Sequence, residues 1–373
     1  MSRLKARAQR KANLAKKQNQ SGHWPELCRR IEAGQVIPII SGSIFMDQLF
    51  DIDGDGVLGI GPGDSNSANW NIQEQLSDAY ATEINFPMND PHRLALVVLF
   101  DRVFNGPDDS AAKTRYLNWL KDALLFLAED DAALDAELIE ELRDEYKRQN
   151  LSQIAAELGY PKQSSGQQNT FELLAKLKLP IYITTSPFDF LERAIMNDNT
   201  TPRTQVCYWS EEPVNYKDPQ HETDYSFDPT PENPVVYHLF GIEDYPSSLV
   251  LTEDDYLDFL AAISRDAGQE RPILPLYIRR ALTQSSLILL GYRLRDWDFR
   301  VMFRGLINSI PSSLRRFNLA IQLDPVDQDR AVSSEQVRDY LNNYFGSSNF
   351  TVEWSTTEGF VQRLWQEWQQ WRS

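Results

Sequence analysis

Short apolar runs, separated by longer amphipathic stretches, are the main pattern along this chain. The runs are four to seven residues long and rich in Val, Ile and Leu, as buried parallel strands are. The predicted strands are 36–40, 181–185, 205–209, 235–240, 287–290, 317–323 and 350–354. Helical spacing between them predicts helices such as 253–264 and 276–283. This alternation predicts an α/β fold: a doubly wound, Rossmann-like parallel sheet with helices on both faces.

The span between the first two predicted strands breaks this alternation. It is about 140 residues long, and segments 92–104, 113–128 and 131–147 all have helical apolar spacing. The sequence therefore predicts a helical insertion after the first strand, over about 70–165. A polar connector at 162–170 would lead back to the sheet.

The two ends of the chain are predicted to be distinct from the central unit, 30–305. Residues 1–29 form a basic arm, and 306–373 contain two strands and a Trp-rich helix that complete or flank the sheet. The final helix places Phe360, Leu364, Trp368 and Trp371 on one face. That face either docks on the same chain or forms a contact within a homo-oligomer.

Composition narrows the class of protein. The 373 residues are 42% hydrophobic and 24% charged, which is ordinary for a water-soluble globular protein. No apolar run is long enough for a membrane span, and the start of the chain has no secretory pattern. Two separated cysteines, Cys28 and Cys207, exclude a disulfide framework and a structural zinc site. We expect a cytoplasmic protein without zinc.

Charge is distributed unevenly. The net charge is −17, yet the first 17 residues carry seven Lys or Arg and no acidic residue. An acidic body repels phosphates, so we do not expect nucleic-acid binding outside the basic arm. The arm itself is either a solvated terminus or a contact for nucleic acid or an acidic surface.

Polar and small residues follow four of the predicted strands. Ser41, Gly42 and Ser43 follow the first strand, and small residues there let backbone amides approach a phosphate. Hydroxyls follow the second strand within 179–194, and the other two clusters lie within 235–260 and 285–300. Because carboxyl ends of parallel strands meet at one edge, a single ligand could contact all four clusters.

An acidic loop, DIDGDG at 51–56, resembles the first half of a calcium-binding loop. The position that should supply a bidentate Glu is Pro62, so an acidic turn is the alternative. The acidic clusters also permit a metal-dependent nuclease, but no metal-ligand spacing supports it. We therefore assign no metal site.

The order of these clusters resembles the sirtuin-like (silent information regulator-like) domain family. The most specific parts are TEDDY at 252–256 and LLGYRLRDWDF at 289–299, and the resemblance covers about 30–305. It implies a nucleotide-binding fold with a helical insertion, and a protein of bacterial anti-phage defence that cleaves NAD. It also implies a homo-oligomer and a partner defence subunit. The sequence lacks the four clustered cysteines of a zinc ribbon, which argues against protein deacetylation.

Roles for individual residues follow from the resemblance and from their places at the strand ends. The phosphates of NAD or of an ADP-ribose-type nucleotide would lie at Ser41, Gly42 and Ser43. The nicotinamide-ribose side would be lined by Thr184, Thr185, Ser186 and Asp189, with His238 as the base. Gly291, Arg295 and Asp296 would hold the adenosine half or the helix below it. Gly241, which matches the family motif, is also expected to bind the cofactor.

Two functions stay open at this point. The first is an NAD glycohydrolase that releases nicotinamide and ADP-ribose. The second is a catalytically degenerate nucleotide-binding or scaffold subunit. The second is favoured by Ser186 and Phe240, which occupy the positions where the family has Asn and His.

Overall fold

The computed structural model describes residues 23–373 apart from 51–70, 107, 163–168, 211–226, 266–272, 294–295, 308–318 and 324–349. The helices before the second strand are α1 His23–Glu32, α2 Ser43–Phe50, α3 Ile72–Glu83, α4 Leu94–Asn105, α5 Asp109–Glu129, α6 Ala136–Glu145, α7 Leu151–Glu157 and α8 Thr170–Lys176. The later ones are α9 Phe190–Asn197, α10 Glu253–Arg265, α11 Leu276–Gln284, α12 Trp297–Met302 and α13 Thr357–Arg372, with a 3₁₀ turn at Pro246–Ser248 and a π-turn at Phe303–Ile307.

The described strands form one seven-stranded sheet. They are β1 Val36–Ile40, β2 Ile181–Thr184, β3 Arg203–Val206, β4 Val235–His238, β5 Ser286–Leu290, β6 Leu319–Leu323 and β7 Phe350–Trp354. Their order is β3-β4-β2-β1-β5-β6-β7, and every neighbouring pair is parallel. The Rossmann-like α/β prediction is confirmed, and each predicted strand overlaps an observed one.

Both faces of the sheet are covered, which explains why the central strands β1 and β5 are almost entirely apolar. On β1, Ile37 and Ile39 contribute to one core, whereas Val36 and Ile40 contribute to the core on the opposite face. Successive side chains of a strand alternate between faces, so a strand that is buried on both faces favours apolar residues at every position. The continuous burial of β1 and β5 follows from this arrangement.

Helices α3 to α7, which follow β1 and precede β2 in the sequence, pack around a third core. Two buried lysines connect this helical insertion to the segment that follows β4. Lys113 donates to the Leu249 carbonyl (2.8 Å) and forms an ion pair with Asp255 (3.1 Å). The Nζ atom of Lys121 lies 3.7 Å from Oε2 of Glu243. The insertion therefore forms one wall above the carboxyl ends of the strands.

The C-terminal segment joins the same sheet through β6 and β7. Helix α13 buries Phe360, Leu364 and Trp368 in the core that also contains Trp24. Trp371, predicted to share this face, is instead 41% exposed, and its ring N–H donates to Glu32 at 3.1 Å. Of the two possibilities for this helix, the structure has the aromatic face docked on its own chain.

Several sequence predictions lie outside the described residues: the acidic loop 51–56, most of the basic arm, Arg295 and most of the polar connector. Within the described part, no helix combines the length and the apolar character that a membrane crossing requires.

Candidate functional site

A cleft of about 400 Å³ opens where the carboxyl ends of β1, β2 and β4 and the segment after β5 meet the helical insertion. Strand β1 lies between β2 and β5, so the strand order reverses there, with β2 to β4 on one side and β5 to β7 on the other. Open α/β sheets bind ligands at such a reversal of strand order, outside the carboxyl ends of the strands. The volume is within the range of small-molecule and cofactor sites.

The Ser-Gly-Ser turn after β1 forms the floor of the cleft. Gly42 and Ser43 line it, and Ser43 begins α2. The Ser41 hydroxyl accepts from the Ser43 amide (3.3 Å) and donates to Asp298 Oδ2 (3.1 Å). The Ser43 hydroxyl donates to the Gly291 carbonyl at 2.7 Å. These bonds connect the end of β1 to the end of β5.

At the end of β2, consecutive residues have different surroundings. Thr185 lines the cleft, and its hydroxyl accepts from the Gly42 amide at 3.3 Å. The hydroxyl of Thr184 donates instead to the Ile40 carbonyl (3.2 Å). Ser186 is fully buried, and its hydroxyl accepts from the Phe188 amide (3.1 Å). Of the three, Thr185 is the one that reaches the ligand space.

The structure does not bring His238 into the cleft. Its side chain is fully buried, with Nδ1 2.8 Å from the Ser186 carbonyl and Nε2 2.7 Å from Glu192 Oε1. Burial lowers the pKa of His238, but the Glu192 carboxylate outweighs that effect, so the pKa lies above its ordinary value. Both imidazole nitrogens of His238 have an acceptor nearby, and the ring forms a buried pair with the Glu192 carboxylate at the end of β4.

The predicted strand 235–240 implies that the side chains of His238 and Phe240 point into the same space, and this expectation is wrong. It assumed a strand extending to Phe240, but β4 ends at His238 and a turn follows. Alternation of side chains applies only while the backbone stays extended. Phe240 lines the cleft, and its ring lies 5.7 Å from that of Tyr256.

Asp189 is also separate from the residues that line the cleft. It precedes α9, and its carboxylate accepts from Arg193 Nε at 3.1 Å. The side chain is 22% exposed in that ion pair. Its predicted role on the nicotinamide-ribose side has no support from this geometry.

Two glycines shape the turns around the cleft without lining it. Gly241 has φ +86°, and a Cβ there would overlap the carbonyl oxygen of Ser248. Gly291 has φ +73°, and a Cβ there would overlap the side chain of Ile44. Both conformations favour glycine. Both glycines allow neighbouring atoms to pack closely against the backbone. The Gly291 carbonyl also accepts a hydrogen bond from the Ser43 hydroxyl.

The segment after β5 supplies the acidic and aromatic part of the cleft. Asp296, Trp297 and Asp298 line it, and the Trp297 ring stacks on Tyr256 with centroids 6.2 Å apart. Burial raises the pKa of Asp298, although the Phe299 amide and the Ser41 hydroxyl act in the opposite direction. Asp298 was not among the predicted site residues, although it belongs to the polar-aromatic cluster visible in the sequence.

The helical insertion supplies the opposite wall. His92 and Arg93, just before α4, line the cleft together with Asn71 and Glu74 at the start of α3. Arg93 forms an ion pair with Glu253 across the cleft. Sequence reasoning did not select these residues, because nothing local to 70–95 indicates that the insertion folds back over the strand ends.

Among the predicted binding residues, the structure gathers Gly42, Ser43, Thr185 and Asp296 around the cleft, with Ser41 directly behind them. The cavity combines aromatic walls with hydroxyls on its floor and carboxylates at one end, a lining typical of small-molecule and cofactor sites. Among the described residues, no cluster of three or more potential metal ligands occurs.

Comparison with known proteins agrees with this geometry. A SIR2-like domain family matches residues 180–345, which include β2 to β6 and the segments that follow β2, β4 and β5. No curated protein matches the chain. Strand β1 and its turn precede the matched range, but they pair directly with β2 and β5 inside it. Over residues 180–345, this chain is similar to the SIR2-like domain family.

Proposed function

We propose that the cleft binds NAD or a dinucleotide of the ADP-ribose type. The observation that carries the proposal is the convergence of the β1, β2 and β4 ends and the post-β5 segment on one cavity beside the central strand. Similarity of residues 180–345 to a family with an NAD-related fold supports the choice of ligand.

The residues around the cavity suggest how such a ligand would be held. The Ser-Gly-Ser turn at the start of α2 lies on the cleft floor, and phosphate oxygens would replace the internal hydrogen bonds that the Gly42 and Ser43 amides make. Asp296 is suited to ribose hydroxyls, as carboxylates are in other nucleotide folds. The rings of Tyr256 and Trp297 form an aromatic surface for a base.

The reaction we propose is hydrolysis of the bond between nicotinamide and ribose, in an anti-phage defence protein of the cytoplasm. It is supported by the resemblance of TEDDY and LLGYRLRDWDF to that bacterial branch. We also propose that the protein forms a homo-oligomer and works with a partner defence subunit.

A second candidate function is a nucleotide-binding or scaffold subunit without hydrolysis. Phe240 in the cleft and His238 buried outside it favour this candidate, because neither supplies a base to the bound ligand. The two candidates share the binding site and differ only in turnover.

Calorimetric titration with NAD and ADP-ribose, together with measurement of free nicotinamide, tests the proposal. We expect binding, and we expect Thr185→Val to weaken it about fivefold to tenfold because a hydroxyl in the cleft is lost. Thr184→Val is the matched control, since its hydroxyl bonds to the Ile40 carbonyl and does not line the cleft.

The outcomes separate the candidates. Binding with nicotinamide release supports the hydrolase, and binding without release supports the second candidate. No binding of either ligand at millimolar concentration, or equal weakening by both threonine variants, would overturn the proposed site.

A further inference from the structure

We propose that His92, from the helical insertion, is the general base of the cleft, a role that rests on the proposed NAD hydrolysis. It is the only imidazole among the described residues that line this cavity. The strand-borne position that resembles the family's base carries Phe240 instead. The inference is that the base comes from the opposite wall.

Contacts across the cleft bring the His92 loop toward Phe240. Arg93, the next residue, forms an ion pair with Glu253 in the first turn of α10. One turn later on that helix, the Tyr256 ring lies 5.7 Å from the Phe240 ring at an interplanar angle of 81°. The Arg93–Glu253 ion pair and the Tyr256–Phe240 ring contact therefore connect the wall that carries His92 to the wall that carries Phe240.

The loop that carries His92 is held in place from both sides. The Ser77 hydroxyl, on a fully buried side chain, donates to the Pro91 carbonyl at 2.6 Å. The Arg93 carbonyl accepts from the Leu96 and Val97 amides at 2.9 and 3.1 Å, which fixes the start of α4. A base on a fixed loop meets the positional demand of proton transfer.

The chemistry balances with water as the co-reactant. The His92 imidazole takes a proton from water as the water oxygen bonds to C1′ of the ribose. The bond between C1′ and the nicotinamide nitrogen breaks, and its electron pair neutralises the positively charged ring. The products are nicotinamide and ADP-ribose, and the imidazolium then releases its proton to solvent. Imidazole is the side chain most often used as a general base in enzymes.

Steady-state kinetics and calorimetry on His92→Gln test the inference. We expect kcat for nicotinamide release to fall by about 10² or more, while Kd for NAD changes less than about threefold. Added imidazole should partly restore turnover in His92→Ala. Met88→Ala is the matched control, because Met88 lies on the same loop and is 50% exposed.

Each possible result either supports or overturns the assignment of His92 as the general base. Turnover of His92→Gln within about threefold of the unsubstituted protein overturns the assignment and leaves the proposed hydrolysis standing. NAD binding without any nicotinamide release by the unsubstituted protein overturns the assignment and leaves the binding proposal standing. Absence of NAD binding overturns both.

Discussion

At the scale of single residues, the buried pair of His238 and Glu192 makes a specific contribution to stability. The imidazole has acceptors at both nitrogens, 2.8 Å from the Ser186 carbonyl and 2.7 Å from the Glu192 carboxylate. An imidazolium satisfies both, whereas a neutral ring can donate to only one. The pair therefore stabilises the fold most when His238 is protonated.

This gives a pH dependence with a definite sign. Burial opposes the shift, but Glu192 raises the pKa of His238 above its ordinary value. A raised pKa in the folded state gives stability that is fully present below the unfolded pKa of about 6.5 and is lost as pH rises through the folded value. Each unit of the shift corresponds to about 1.4 kcal/mol.

Urea unfolding of His238→Gln and of the unsubstituted protein, at about pH 5.5 and about pH 8.5, measures the effect. We expect the variant's loss of unfolding free energy to be greater at the acidic pH. A loss that is equal at both values, or greater at the alkaline one, would contradict the raised pKa. Comparing the two proteins at each pH removes the titration of groups that the substitution does not affect.

At the scale of elements, the helical insertion depends on buried cations for its position above the sheet. Lys113 on α5 is fully buried and contacts Asp109 (2.6 Å), Asp255 (3.1 Å) and the Leu249 carbonyl (2.8 Å). Removing one partner of a buried ion pair leaves an uncompensated charge, which costs more than an exposed pair ever contributes.

We expect Lys113→Met to lower the free energy of unfolding by about 3 to 5 kcal/mol. The control is Lys176→Met on α8, whose pair with Glu172 is 3.9 Å long and partly exposed on both sides, and whose loss should cost under about 0.5 kcal/mol. Chemical denaturation of both variants measures the difference. Similar losses in the two variants would mean that Lys113 does not anchor the insertion.

The elements themselves were largely predictable from the sequence, but their ends were not. Apolar runs bounded by polar residues located all seven strands, because a two-sided sheet imposes that pattern locally. The error at β4 was two residues long, yet it changed which side chain faces the ligand, since His238 closes the strand and Phe240 follows in a turn. Side-chain direction depends on the last extended residue, which local composition does not determine.

At the scale of the whole molecule, the account depends on the convergence of distant segments. Ser41 and Asp298 are 257 positions apart in the sequence, but hydrogen bonds join the Ser-Gly-Ser turn to the segments after β2 and β5. The sheet order brings these segments together, so strand-end motifs predicted this half of the site. The wall with His92 and Arg93 depends on how a helical insertion packs, and no local pattern encodes that packing.

Hydrogen exchange measured by mass spectrometry, with and without saturating NAD, tests the central claim most directly. The account predicts that NAD slows exchange of the amides at 42–46, 185–188 and 296–299, three stretches of chain that contribute to the cleft. Binding of NAD with protection confined to other parts of the chain would contradict it.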